Sequence, residues 1–119
     1  MITIDDIKKA HKRIGPFIHK TPVFRSTSLD DLSNARLFFK CENFQKTGSF
    51  KIRGASNTVL QLSKKELSKG VATASSGNHG AALSMVVKRL GGIAKVVMPS
   101  DTPTAKVKNV ERNGGQVIW

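Results

Sequence analysis

From Val71 to Trp119 the chain alternates short apolar runs with amphipathic stretches, and this order restricts its fold more than any other feature. Val71–Ala74 reads as a strand, and residues 77–90 as a helix with Ala81, Met85 and Val86 on its apolar face. Gly91-Gly92 closes that helix. Residues 93–98 read as a second strand, although Lys95 interrupts its apolar run. Thr104–Arg112 reads as a helix opened by Pro103 and closed by Asn113-Gly114-Gly115, and a third strand begins at Gln116. Strand, helix, strand, helix, strand favours a parallel sheet with crossover helices, a βαβαβ unit of the α/β class. A parallel strand is normally covered on both faces. No helix follows the third strand, so the sequence reads as a truncated piece of a larger fold.

The first half is less regular. Residues 5–14 place Ile7, Ala10 and Ile14 at helical spacing, with Asp5 and Asp6 at the N-terminal end and Gly15-Pro16 as the stop. Pro22 disfavours the helical region for Thr21, so residues 21–24 are expected to be extended. Residues 28–32 read as a short capped helix, residues 35–41 as a strand around Leu37-Phe38-Phe39, and residues 42–48 as a polar loop. A helix is predicted over residues 49–62, with Ile52, Ala55, Val59 and Leu62 on one face.

Composition narrows the function classes. A chain of 119 residues, 39% hydrophobic and 24% charged, is globular rather than disordered. No apolar run approaches the roughly 20 residues needed to span a bilayer. The N-terminus lacks the blocks of a secretory signal, and the single Cys41 forms no internal disulfide. The expectation is a cytoplasmic protein without membrane partners, with Cys41 as a small core side chain. Twenty Lys and Arg against eight Asp and Glu give a net charge of +12, which raises nucleic-acid binding as a reading. The basic residues are scattered, and Phe17, Phe24, Phe38 and Phe39 lie in apolar sequence contexts rather than alternating with Lys or Arg. A base-stacking surface is therefore not expected.

Two segments carry chemistry. Thr47-Gly48-Ser49-Phe50-Lys51-Ile52-Arg53-Gly54 sets a lysine at the start of a helix between apolar neighbours. Any single lysine is ordinarily a solvated surface charge. Burial beside Phe50 and Ile52, with Lys46 and Arg53 nearby, would disfavour the charged form. Such a lysine forms imines or acts as a base. The second segment is Ser75-Ser76-Gly77-Asn78-His79-Gly80, between a strand and a helix. Unpaired N–H groups and the positive dipole end there suit a carboxylate or phosphate. Ser and Asn are also ordinary helix caps. No Walker A sequence and no Gly-x-Ser-x-Gly elbow occurs. His11, His19 and His79 lack metal-ligand spacing, so no metal site is expected.

Taken together, these segments resemble the serine racemase and serine/threonine dehydratase group of fold-type II pyridoxal-phosphate (PLP) enzymes. The likeness runs through His19-Lys20-Thr21-Pro22, the stretch from Phe39 to Ala55, Ser75 to Gly80, Met98-Pro99 and Pro103-Thr104-Ala105-Lys106, in family order. The resemblance implies that Lys51 holds PLP as a Schiff base and then removes the substrate Cα proton. It implies that Phe50 packs beside the cofactor and that Asn78 bonds its ring hydroxyl. Ser75, Ser76, Gly77 and His79 would surround the substrate carboxylate. Ser76 would be the acid/base on the face opposite Lys51, which racemisation needs and elimination does not. Many threonine dehydratases have Ala where this chain has Ser76, which tilts the reading towards a racemase-like or bifunctional enzyme. His79 argues against the cysteine synthase branch.

The resemblance also implies an organisation. Residues 1–69 would be part of a large PLP-binding domain and residues 70–119 the start of a small inserted α/β domain. The family's glycine-rich phosphate loop lies further along than Trp119. The 119 residues alone are therefore expected to bind PLP weakly and to turn over little substrate. The substrate would be serine or threonine, and the whole protein a homodimer. A non-catalytic product that pairs with a full-length subunit, and a basic nucleic-acid-binding module, are the alternative readings.

Overall fold

The computed structural model describes residues 1–119. Helix α1 (Ile4–Ile14) opens with a reciprocal cap: the Thr3 hydroxyl accepts from the Asp6 amide, and the Asp6 carboxylate accepts from the Thr3 amide. Strand β1 (Val23–Phe24) and strand β2 (Phe39–Lys40) form a two-residue antiparallel ribbon, with helix α2 (Thr27–Ser33) between them. The predicted strand over residues 35–41 is thus much shorter. The Leu37 amide donates to Asp30 Oδ1 at 2.7 Å and is lost to any ladder.

Helix α3 (Lys51–Val59) ends three residues earlier than predicted, and a separate helix α4 (Lys64–Ser68) follows. Ser63 and Glu66 cap α4 reciprocally. Strand β3 (Val71–Ala74), helix α5 (Asn78–Arg89), strand β4 (Ala94–Val97), helix α6 (Thr104–Arg112) and strand β5 (Gly115–Ile118) complete the chain. The three strands are parallel in the order β3-β4-β5, with Val71 opposite Ala94 and Ala94 opposite Gly115. The predicted α/β class and parallel βαβαβ unit are what the structure shows. Ala94 and Val96 are buried while Lys95 and Val97 are exposed, so Lys95 occupies the open face of the sheet rather than breaking the strand.

Helix α5 is the hub. One apolar cluster packs Ile52, Ala55 and Val59 of α3 against Ala82, Leu83, Val86 and Val87 of α5. A second packs Ala81 of α5 against Val96, Met98, Val107 and Val110. Two contacting faces require a helix apolar nearly all round, and residues 80–84 are all buried. A Cβ at Gly80 would lie 2.8 Å from Val96 Cγ1, so the missing side chain lets α5 sit close on β4.

Two expectations need correction. Cys41 is only half-buried, its thiol donating to the Phe39 carbonyl, because the short ribbon leaves no core around it. Phe24, Phe38 and Phe39 are exposed by 53%, 61% and 41%, not set in apolar surroundings. The guanidinium groups of Arg25 and Arg36 lie 5.3 and 6.0 Å from the Phe38 ring centroid, a contact that shields a surface ring. No helix is long and apolar enough to cross a membrane.

Candidate active site

Lys51 is the first residue of α3, and its position follows from the helix's periodicity. Ile52, Ala55, Ser56 and Val59 form the buried stripe. Position 51 falls about 100° off that stripe, so its side chain stands clear of the core. Lys51 and Phe50 are both exposed, Phe50 by 58%. The expected burial of Lys51 is thus not found. The lysine Nζ lies 5.1 Å from the Phe50 ring centroid and has no acidic partner.

The positive charge expected beside Lys51 is also altered. Arg53 grips Glu42 with two hydrogen bonds, Nε to Oε2 at 2.8 Å and Nη2 to Oε1 at 2.7 Å. Thr21 Oγ1, on a buried residue, donates to Glu42 Oε1 at 2.6 Å. Arg53 is therefore a neutralised charge rather than a free one. The Arg53 hydrogen bonds hold the Glu42 carboxyl down at about 2, from an ordinary value of 4.5. A depressed carboxyl pKa stabilises the fold above the unfolded value and loses that contribution as pH falls towards the folded value. The contribution, about 1–2 kcal/mol after solvent screening, is expected to disappear between roughly pH 4.5 and 2. Urea unfolding of the chain and of Glu42→Gln across that range should give a stability difference that shrinks as pH falls.

Between Glu42 and Lys51 the backbone is strained. Thr47 adopts φ 62°, in the left-handed region that β-branched residues avoid. Gly48 follows at φ 75°. Such a threonine costs on the order of 1–3 kcal/mol, so neighbouring contacts must hold it. Gln45, 4% exposed, supplies two of them: its Oε1 accepts from the His19 amide at 2.7 Å, and its Nε2 donates to the His19 carbonyl at 2.7 Å.

The second segment sits at the C-terminal end of β3 and the start of α5. Ser75 Oγ accepts from the Gly77 amide at 3.3 Å and the Gly80 amide at 3.0 Å, so Ser75 is used as a helix cap. The amides of Asn78 and His79 donate to nothing within the chain. Two unclaimed N–H groups at a helix N-terminus suit a carboxylate or phosphate oxygen.

The packing of α3 on α5 joins the two segments. Phe50, Lys51 and His79 line one cleft of about 530 Å³, together with Arg53, Thr58, Val71, Thr73 and Leu83. Ser75 and Ser76 line a separate depression with Val97, Met98 and Pro99. Asn78 is exposed, and Gly77 faces the Lys106 side chain. Lys51 and His79 are thus brought together, whereas Ser75, Ser76, Gly77 and Asn78 lie around the end of α5 outside that cleft. Sequence reasoning missed the Glu42–Arg53–Thr21 network. Its signal was a lone acidic residue within a basic stretch. No group of three or more His, Cys, Asp or Glu side chains is placed to hold a metal ion.

PLP needs an amine to attach to, an apolar surface beside its ring and donors for its oxygens. The accessible Lys51 amine, the adjoining Phe50 ring and the unclaimed amides at the α5 N-terminus fit those needs. Comparison with known proteins agrees. The family described as "Pyridoxal-phosphate dependent enzyme" matches residues 14–119. A serine racemase of Oryza sativa subsp. indica is 53% identical over 116 residues, which are 98% of this chain and 34% of that protein. An L-threonine ammonia-lyase of Thermotoga maritima is 40% identical over 99% of this chain and 29% of its own length. The solved structure of maize serine racemase superposes with a TM-score of 0.94 at 52% identity, over 98% of this chain and 35% of that one. The chain therefore spans about a third of the length of the relatives it matches.

Proposed function

The chain belongs to the pyridoxal-phosphate dependent enzyme family, and on that premise we propose that it carries the lysine-bearing part of an enzyme that dehydrates or racemises serine or threonine. The observation that carries this reading is the meeting of Lys51 and His79 on one cleft, beside a helix end whose amides are unclaimed. The serine racemase and threonine ammonia-lyase relatives supply the substrate class.

Each residue has a role in this reading. When bound, PLP supplies the sink for the electrons left on the substrate Cα as its proton departs. Lys51 would hold the cofactor through its amine and, once the substrate's amine has taken its place, the freed Lys51 amine would take that proton. Phe50 provides an apolar wall, and Asn78 offers its side-chain amide to a cofactor oxygen. Ser75, Ser76, Gly77 and His79, with the free amides of α5, orient the substrate carboxylate. The Ser76 hydroxyl, exposed at the end of β3, returns a proton to the opposite face of Cα. Residues 1–69 form part of the large domain and residues 70–119 begin the smaller one, Gly70 turning the chain between them at φ 84°.

Ser76→Ala, in a polypeptide carrying this segment within the length of its relatives, separates the two reactions. Racemisation, followed as D-serine from L-serine, is expected to fall on the order of 10²-fold, while release of keto acid from serine falls far less. Equal loss of both activities would remove Ser76 from the opposite-face role.

A second reading, pairing of this chain with another polypeptide, is favoured by the exposed ribbon. Phe24 and Phe44 meet edge to face at 6.4 Å, yet remain 53% and 56% exposed.

A further inference from the structure

We propose that Glu42 is a positioning residue for Lys51: by clamping Arg53 to the 19–21 segment, it fixes the strained turn that delivers Lys51 to the cleft. The inference rests on the reading of Lys51 as the cofactor-bearing lysine.

Glu42 stands at the start of the 42–50 segment, and Arg53 lies just past its end, in the first turn of α3. The two hydrogen bonds between them close the segment into a loop whose ends cannot separate. Thr21 Oγ1 ties the same carboxylate to the segment before β1, and Lys40 Nζ donates to the Thr21 carbonyl at 2.7 Å. Arg53 and Thr21 therefore meet on one carboxylate, and Lys40 joins them through the Thr21 carbonyl.

Beyond this clamp, residues 46–48 pack against α5 and the His19 ring lies 3.2 Å from the Phe44 carbonyl. The loop's own backbone contributes three short-range bonds, at Phe44, Gln45 and Gly48. The buried hydroxyls of Thr47 and Ser49 have no hydrogen-bond partner, although Ser49 is only 8% exposed. Phe50, at the N-cap position of α3, makes no side-chain cap. A turn with unsatisfied hydroxyls and a threonine at φ 62° does not hold its shape from within. The clamp, the Gln45–His19 pair and the packing of residues 46–48 on α5 supply the restraint from outside. Lys51 follows the turn directly, so loosening the clamp would release the lysine's backbone while the Ile52 stripe stayed packed.

Glu42→Gln keeps the shape of the side chain and removes its charge. The wild-type chain and the variant would be incubated with PLP, reduced with borohydride and mapped by mass spectrometry. Backbone hydrogen exchange of residues 46–52 would be followed in parallel without PLP. The expected results are about tenfold less label on Lys51, unchanged labelling of other lysines, and exchange in 46–52 that rises about tenfold beyond the rise in α5 brought by the general loss of stability. The paired exchange of Glu42→Arg with Arg53→Glu should recover both readouts in part, which general destabilisation would not do. Label and exchange within twofold of wild type in Glu42→Gln would overturn the proposal. Absence of Lys51 preference in the wild-type chain would instead overturn the reading of Lys51, and the exchange rates would then decide the clamp by themselves. If Glu42→Gln does not fold, Arg53→Lys provides the same test, because it keeps the charge and loses the two-pronged grip.

Discussion

Lys51→Ala is expected to abolish cofactor attachment at the cleft and to lower turnover of the whole protein on the order of 10³-fold or more. No other lysine lines that cleft. Lys46 is nearest in sequence but sits on the far side of the strained turn at Thr47 and Gly48. Lys51 is exposed and makes no salt bridge, so its removal leaves no buried charge unpaired. The variant should therefore fold normally and melt within about 0.5 kcal/mol of the wild type. Borohydride trapping with peptide mapping checks the first statement, and denaturant unfolding the second. Full cofactor attachment in the Lys51→Ala protein would move the site elsewhere.

Ile52→Ala is expected to do the reverse, destabilising the chain by about 2–5 kcal/mol while leaving every site side chain in place. Ile52 is 0% exposed and sits where α3 meets α5. Its loss opens a cavity between the helix that carries Lys51 and the helix that carries His79. A domain of this size is typically stable by only about 5–15 kcal/mol, so the loss is a large fraction of the total. Urea unfolding measures it, and a loss below 1 kcal/mol would mean that the two helices are held by something other than this contact.

The βαβαβ half was readable because each element repeats a simple pattern. Val71–Ala74 and Thr104–Arg112 have the predicted bounds, since Gly70 and Ser75 bracket the first while Pro103 and Asn113 bracket the second. Where the reading failed, a local side chain had redirected the backbone. Asp30 takes the Leu37 amide and shortens the ribbon. Ser63 and Glu66 start a new helix just past the predicted end of α3, from a capping box that the sequence carries as Ser-Lys-Lys-Glu and that the reading passed over. The two chemical segments were legible as motifs, whereas their meeting was not. The Lys51–His79 cleft depends on the packing of α3 against α5, and helical periodicity says which face is apolar but not what it faces. The exposure of Lys51 was hidden for a related reason. Apolar neighbours in sequence suggested burial, but along a helix adjacent residues point about 100° apart. The Glu42–Arg53 pair spans eleven residues and two secondary structures, beyond any helical or strand spacing.

The most direct test of the central claim is to incubate the 119-residue chain with PLP, reduce with borohydride and map the modified lysines. The account predicts weak binding, with the covalent label concentrated on Lys51. Label spread evenly over the surface lysines, or concentrated on another lysine with Lys51 unmodified, would contradict it.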